Sequence, residues 1–171
     1  DRTIKTLSDH YILCGFGRMG RVIASELQKK NIPRIIIETN RSLLALMEED
    51  GHDTFIVGNA SDEAVLKKAG IERAKGLVTA VSSDADNAFI TMTARGLSKE
   101  CNPDLRIVAR ADETSSVSKL KLAGADKVVS PYVIGGNHIA QAILSPALVD
   151  FMEIATDKDR PEVEIADVEI K

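Results

Sequence analysis

Three glycines, Gly15, Gly17 and Gly20, in the pattern G-x-G-x-x-G, separate a short apolar run at 11–14 from a segment in which Val22, Ile23 and Leu27 recur at helical spacing. The pattern predicts a strand, a tight turn and a helix. Each glycine has its own physical reason: Gly15 for a backbone dihedral that side chains avoid, Gly17 so that a pyrophosphate can approach the main chain, and Gly20 for close packing of helix on strand. The helix would then offer unpaired N–H groups and the positive end of its dipole to an anion.

Glycine turns of this kind are common, and many bind nothing, so context carries the assignment. A second apolar run at 35–37 ends at Glu38, where a dinucleotide fold places the acid that accepts hydrogen bonds from ribose hydroxyls. The plainer alternative is a solvated residue at a strand end. An acid there favours NAD over NADP, and Arg41 just beyond it tempers that preference.

A chain of 171 residues is about one domain. Its residues are 44% hydrophobic but only 4% aromatic with no Trp, which suits an aliphatic core around a buried parallel sheet. A net charge of -4 gives no basic footprint for nucleic acid. Cys14 and Cys101 lack metal-ligand spacing and read as reduced thiols. No apolar run approaches the roughly 20 residues that cross a bilayer, and the N-terminus shows no signal peptide. The abrupt start without Met points to a fragment of a longer protein, whose missing part would precede a polar linker at 1–10, with His10 inert at its end.

Further along, residues 41–50 predict a short helix with Leu43, Leu44 and Met47 inward, ended by Gly51. A strand at 54–57 runs into Gly58-Asn59-Ala60-Ser61, either a simple turn or a contact for adenine, with Ser61 or Asp62 capping the next helix. A strand at 76–81 leads to Asp84 and Asp86, which cap a helix at 88–97 or, less simply, hold a metal. Strand 106–110 ends in Arg110, a cation placed for a phosphate or for an ion pair with Asp112 or Glu113. A helix over 115–123 and a strand at 127–130 complete the alternation that implies a doubly wound α/β sheet.

From Ser130-Pro131 the pattern changes. A helix containing Gly135-Gly136 is broken at Ser145-Pro146 and continues over 147–152, with more apolar residues, Ile134 to Met152 and Val149 among them, than one sheet needs. A partner subunit is the natural cover. Residues 162–170 alternate acid and apolar, a strand of period 2 that would open a second subdomain from 157 on.

Taken together, the run HYILCGFGRMGRVIASEL at 10–27, Glu38, GNAS at 58–61, the D-x-x-N of Asp84 and Asn87, Ala94-Arg95, IVARA at 107–111 and AGADKVVSPYVIGG at 123–136 resemble the RCK, or KTN/TrkA-N, domain. The resemblance implies a Rossmann-like subdomain over 11–130, protruding crossover and dimerisation helices over 131–156, and a truncated C-terminal subdomain from 157. It also implies a regulator at the cytoplasmic face of the cell membrane in bacteria or archaea, tied to a potassium-channel pore or transporter subunit and assembled into homodimers and rings. Its ligand would be NAD(H) or an adenine nucleotide (ADP, ATP, AMP), with Ca2+ the weaker alternative. By position, Gly15, Phe16, Gly17, Arg18, Met19 and Gly20 would hold phosphates, Glu38 the ribose, Asn59 and Ala60 the adenine, and Arg110 a phosphate. Family members often carry Asp where Asn59 stands. Calcium-gated members place acids where this chain has Arg110 and Asp112, which argues against that Ca2+ site. No catalytic role is implied.

Two other functions compete. An NAD-dependent oxidoreductase would need a proton-transfer group beside the nicotinamide and a substrate domain. His52 and His138 do not fall at strand carboxyl ends, and the chain does not contain a full second domain. A nucleotide-free assembly module would keep the fold without the ligand.

Overall fold

The computed structural model describes residues 2–156. The chain divides at Ser130 into two compact units.

The first unit is a six-stranded parallel sheet in the order β3-β2-β1-β4-β5-β6. Its strands are β1 (Tyr11–Cys14), β2 (Arg34–Glu38), β3 (Phe55–Val57), β4 (Gly76–Thr79), β5 (Arg106–Arg110) and β6 (Lys127–Val129). Every pair is parallel, and Ile12 lies beside Ile35 and Leu77, Leu13 beside Ile36 and Val78. A parallel sheet is covered on both faces, so its strands read as continuous apolar runs instead of alternating ones. Ile12, Cys14, Ile35, Ile37, Leu77 and Ile107 belong to one core cluster, whereas Leu13 and Ile36 belong to the other. The order reverses at β1 and β4, the switch point at which open α/β sheets bind ligands beyond the strand carboxyl ends.

On the smaller cluster lie Met19, Ile23 and Ala24 of α2 (Arg18–Lys29) and Leu44, Leu46 and Met47 of α3 (Leu44–Glu49). A single 3-10 turn, Arg41–Leu43, precedes α3, held by the Asn40 side chain accepting from Ser42 N–H. The larger cluster takes Leu66 of α4 (Glu63–Lys68), Ile90, Ala94 and Leu97 of α5 (Asp84–Cys101) and Leu120 of α6 (Ser116–Ala123). Asp62 is the cap of α4, accepting from Ala64 N–H at 2.9 Å.

Two expectations need correction. Within the polar linker expected at 1–10, Arg2–Thr6 form a short helix, α1, whose Ile4 is buried in the larger cluster. His10 is a structural anchor, fully buried, with Nε2 on the Ala69 carbonyl at 2.7 Å. Since a carbonyl only accepts, Nε2 carries the proton and Nδ1 is left bare and unpaired. The second correction concerns α5, which begins four residues before the apolar periodicity does. Its cap is Ser83, whose side chain accepts from Asp86 N–H, and Asp84 and Asp86 stand inside its first turn.

The second unit contains α7 (Pro131–Leu144) and α8 (Pro146–Thr156), separated at Ser145. Gly135 and Gly136 lie within α7 without interrupting it. Ile134, Ile139, Ile143, Leu144 and Phe151 are all more than half exposed, while Val149, expected outward with them, is buried. His138 and Glu153 pair across the two helices at 3.2 Å. The alternating segment at 162–170 lies outside the described residues.

Candidate nucleotide site

The glycine turn meets the sequence reading closely. Gly15 has φ +107°, and a Cβ there would sit 3.1 Å from the Val81 side chain and 3.2 Å from the Ala80 carbonyl. At Gly20 a Cβ would lie 2.0 Å from the Gly15 carbonyl oxygen, so only glycine lets α2 start this close to β1. Gly17, the cap residue of α2, is different: its φ of -74° suits any residue. Nothing lies within 4 Å of its would-be Cβ. No side chain caps α2 and no acid occupies its first turn. The positive end of the helix is thus unopposed beside open space.

Glu38 closes the turn from the end of β2. One carboxylate oxygen accepts from Phe16 N–H at 2.8 Å and the other from Asn40 N–H at 2.8 Å. The acid thereby braces the glycine turn against the loop that follows β2. The Phe16 ring points the other way, into the smaller core cluster, edge-on to His52 at 5.6 Å. Its contribution to a ligand would therefore come from its backbone.

Beyond Glu38 opens a cleft of about 280 Å³ lined by Gly15, Glu38, Asn59 and Ala60, four of the residues read from the sequence. Ser61, from the loop expected to meet adenine, and Asp86, weighed as a metal ligand, line it too, as do Thr39, Ser82, Phe89 and Ile90, which the sequence had not pointed to a ligand. Periodicity could have marked Phe89, since an apolar residue two positions from the buried Asn87 and next to the buried Ile90 falls off the core-facing stripe. The Asn59 side-chain oxygen accepts from Ser61 N–H at 2.9 Å and from the Ser61 hydroxyl at 2.7 Å.

Gly17, Arg18, Met19 and Gly20 belong to the turn beside the cleft and do not line it. Arg18 is exposed, and Met19 packs on the smaller core cluster. Arg110 does not line the cleft either. Its guanidinium is forked onto Asp112, at 2.8 and 3.2 Å, and touches the Ala80 carbonyl at 3.5 Å.

Asp84 joins the neighbouring loops instead of capping its own helix. Its two oxygens accept from the N–H groups of Asp112 at 2.8 Å and Glu113 at 2.9 Å. Burial alone would push its carboxyl up; those two hydrogen bonds, the Ser116 side chain and Arg110 outweigh it and hold the group below the usual carboxylate range. Next to it, Asn87 is fully buried and uses its whole amide. It accepts from the Thr79 hydroxyl at 2.6 Å and Val81 N–H at 3.1 Å, and donates to the carbonyls of Val81 at 3.0 Å and Arg110 at 3.1 Å. This one side chain ties the ends of β4 and β5 together behind the cleft. Among the described residues no three His, Cys, Asp or Glu side chains are grouped as a metal ion would need.

No histidine lines the cleft. His52 is buried under Phe16, accepting from Arg34 Nε at 3.1 Å, and burial followed by the Arg34 charge lowers its pKa. Cys14, at the cleft floor, is raised far above the ordinary thiol range by burial and is a neutral SH group.

The sequence model of the TrkA-N domain matches residues 11–131. This chain belongs to the TrkA-N domain family. Within that family it is 47% identical over 168 residues to probable potassium channel protein 2 of Methanocaldococcus jannaschii, covering 95% of this chain and 48% of that protein. The chain thus spans about half the length of this relative. Among solved structures, the GsuK channel bound to NAD superposes with a TM-score of 0.68 at 31% identity, over 85% of this chain and 24% of that one. GsuK bound to ADP gives 0.67 at 34% identity, over 81% of this chain and 35% of that one. The two GsuK structures share this architecture, one bound to NAD and the other to ADP.

Proposed function

We propose that this TrkA-N domain is a ligand-sensing RCK module that binds NAD(H) or an adenine nucleotide in the cleft beyond β1, β2 and β3 and passes its occupancy to a potassium-channel pore or transporter. The observation that carries the reading is the uncapped start of α2, with Gly17 facing open space next to a carboxylate-rimmed cleft. In that reading the N–H groups at Gly17 to Gly20 receive the phosphates, Glu38 the ribose hydroxyls, and Asn59 and Ala60 the base. Arg110 serves a phosphate only by exchanging one partner, since Asp112 holds it now. Ca2+ is the weaker ligand, because the Asp84 carboxylate is occupied by two backbone N–H groups.

The reading includes no chemistry. A dehydrogenase would need a group that transfers a proton beside the reacting carbon; in this reading the Glu38 carboxylate is given to the ribose, and no imidazole lines the cleft. The domain acts through linkage: a nucleotide shifts the assembly only by the difference in its affinity for two conformations. The apolar faces of α7 and α8 suit pairing with a second copy, and rings at the cytoplasmic face of the membrane would follow from such pairs. The boundaries 11–130 for the nucleotide subdomain and 131–156 for the crossover helices, with a linker before and a further subdomain after, belong to the same proposal. Thermal-shift titration with NAD, NADH, ADP, ATP, AMP and Ca2+ tests it, because a ligand of the native state raises stability as RT ln(1 + [L]/Kd). No shift with any nucleotide would defeat the reading, and turnover of NADH would restore the enzyme.

A further inference from the structure

The cleft has a wall that the reading above leaves without a task. Asp86, Phe89 and Ile90 stand on the first two turns of α5 and line it opposite the loop 58–61. Ile90 is 3% exposed and part of the larger core, whereas its neighbour Phe89 is 60% exposed. Phe89 packs on neither core cluster and makes no ring contact among the described residues. A separate groove lined by Ala88, Met92, Arg95 and Leu122 excludes it. Leaving most of a large aromatic in water forfeits the gain of burying it, so its position on the wall of a cleft suits an apolar occupant.

The polar groups nearby are equally uncommitted. Asp86 gives its N–H to Ser83 Oγ at 3.2 Å, but its carboxylate has no hydrogen bond or ion pair among the described residues. Asn59 is oriented by Ser61: a backbone N–H only donates, so the Asn59 atom it meets is the oxygen, and the amide nitrogen remains a donor without a partner. The cleft therefore presents a flat apolar face, one acceptor and one donor.

Resting on the nucleotide reading, we infer that Phe89 and Asp86 form the base-recognition wall of the site. The ribose at Glu38 has its phosphates on the Gly17 side, so the base extends the other way, into the part of the cleft between 58–61 and α5. There the Phe89 ring stacks on the purine. The Asp86 carboxylate accepts from the exocyclic amino group of adenine, and Asn59 Nδ2 donates to a ring nitrogen. Hypoxanthine, which carries a carbonyl oxygen where adenine has that amino group, would set an acceptor against the Asp86 charge.

Affinities for ADP and IDP, measured by calorimetry on the chain and three variants, test the inference. Native protein should prefer ADP. Phe89→Ala should weaken ADP by about tenfold or more, the scale of one base–aromatic stack, with an unchanged melting midpoint in the absence of ligand. Asp86→Ala should bring the ADP-to-IDP ratio close to one. Because the chain contains no Trp, Phe89→Trp supplies a single tryptophan, selectively excited beside the two tyrosines, and ADP should quench it. ADP affinity unaltered in Phe89→Ala, with native binding intact, overturns the inference and leaves the nucleotide reading standing. So does a change in self-association alone. No nucleotide binding to the native chain overturns both.

Discussion

The carboxylate of Glu38 accepts the backbone N–H of Phe16 at 2.8 Å, so the residue expected to hold a ribose also holds the glycine turn that would hold the phosphates. The second oxygen is engaged by Asn40 N–H. A ribose bound as proposed would compete for, or share, these two oxygens, which would couple binding to local order through one side chain.

Replacing Glu38 by Ala should accordingly do two things. Stability should fall by about 1–3 kcal/mol, because the part-buried Phe16 N–H loses a charged acceptor. NAD binding should weaken more than any response to Ca2+. Chemical denaturation and parallel titrations measure both; equal losses for the two ligands would contradict the ribose assignment.

Gly17→Asp and Gly20→Ala should part company. Asp is a good cap residue, and position 17 has an ordinary φ and free space, so that variant should fold at least as stably as the native chain while losing its nucleotide response. Gly20→Ala forces a Cβ onto the Gly15 carbonyl and should cost about 1–3 kcal/mol whether or not ligand is present. Melting curves with and without ADP separate the two.

Acid should attack the Asp84 bridge. A carboxyl held below its ordinary value in the folded state contributes stability that is fully present above the unfolded pKa and is lost as pH falls through the folded one. The window therefore lies at and below the ordinary Asp value of 3.8. Asp84→Asn should lower the urea midpoint near neutrality, and its deficit against the native chain should shrink as pH drops below that value. A constant deficit would mean that the charge contributes nothing.

Asn87→Leu should be among the most damaging substitutions in the domain. It strands the Thr79 hydroxyl, Val81 N–H and two carbonyls in a buried setting, at a cost of about 3 kcal/mol or more. Thermal unfolding would register it as a clear drop in midpoint.

Ile143→Asp, on the exposed face of α7, should leave the melting of the nucleotide subdomain unchanged while shifting the protein toward monomer in sedimentation experiments. Unchanged self-association would remove that face from the assembly.

Glycine spacing, strand runs and the acid at 38 were legible in the sequence because each is a local requirement: a dihedral, a period, a distance along one βαβ unit. The alternation of elements implied a doubly wound parallel sheet, whereas its strand order came only with the structure. Roles set by partners far along the chain were not legible. Asp84 looks like a cap from its position, yet its oxygens serve N–H groups 28 and 29 residues away. Arg110, by contrast, was legible as one of two alternatives, a phosphate contact or an ion pair, and it is paired with Asp112 two residues on. Residues 1–10 look like a linker because Ile4 and Leu7 are two apolar residues among polar ones, and only the core shows that both pack on it.

What the chain determined by itself is a parallel sheet with a backbone opening for an anion, since the positive φ at Gly15 and the contact of Gly20 with the Gly15 carbonyl are both local demands. What tertiary structure decided is which side chains surround that opening. Phe89, Asp86, Asn59 and Glu38 come from three separate crossovers, and they share a cleft only because the strand order reverses between β1 and β4 and brings their loops to one edge.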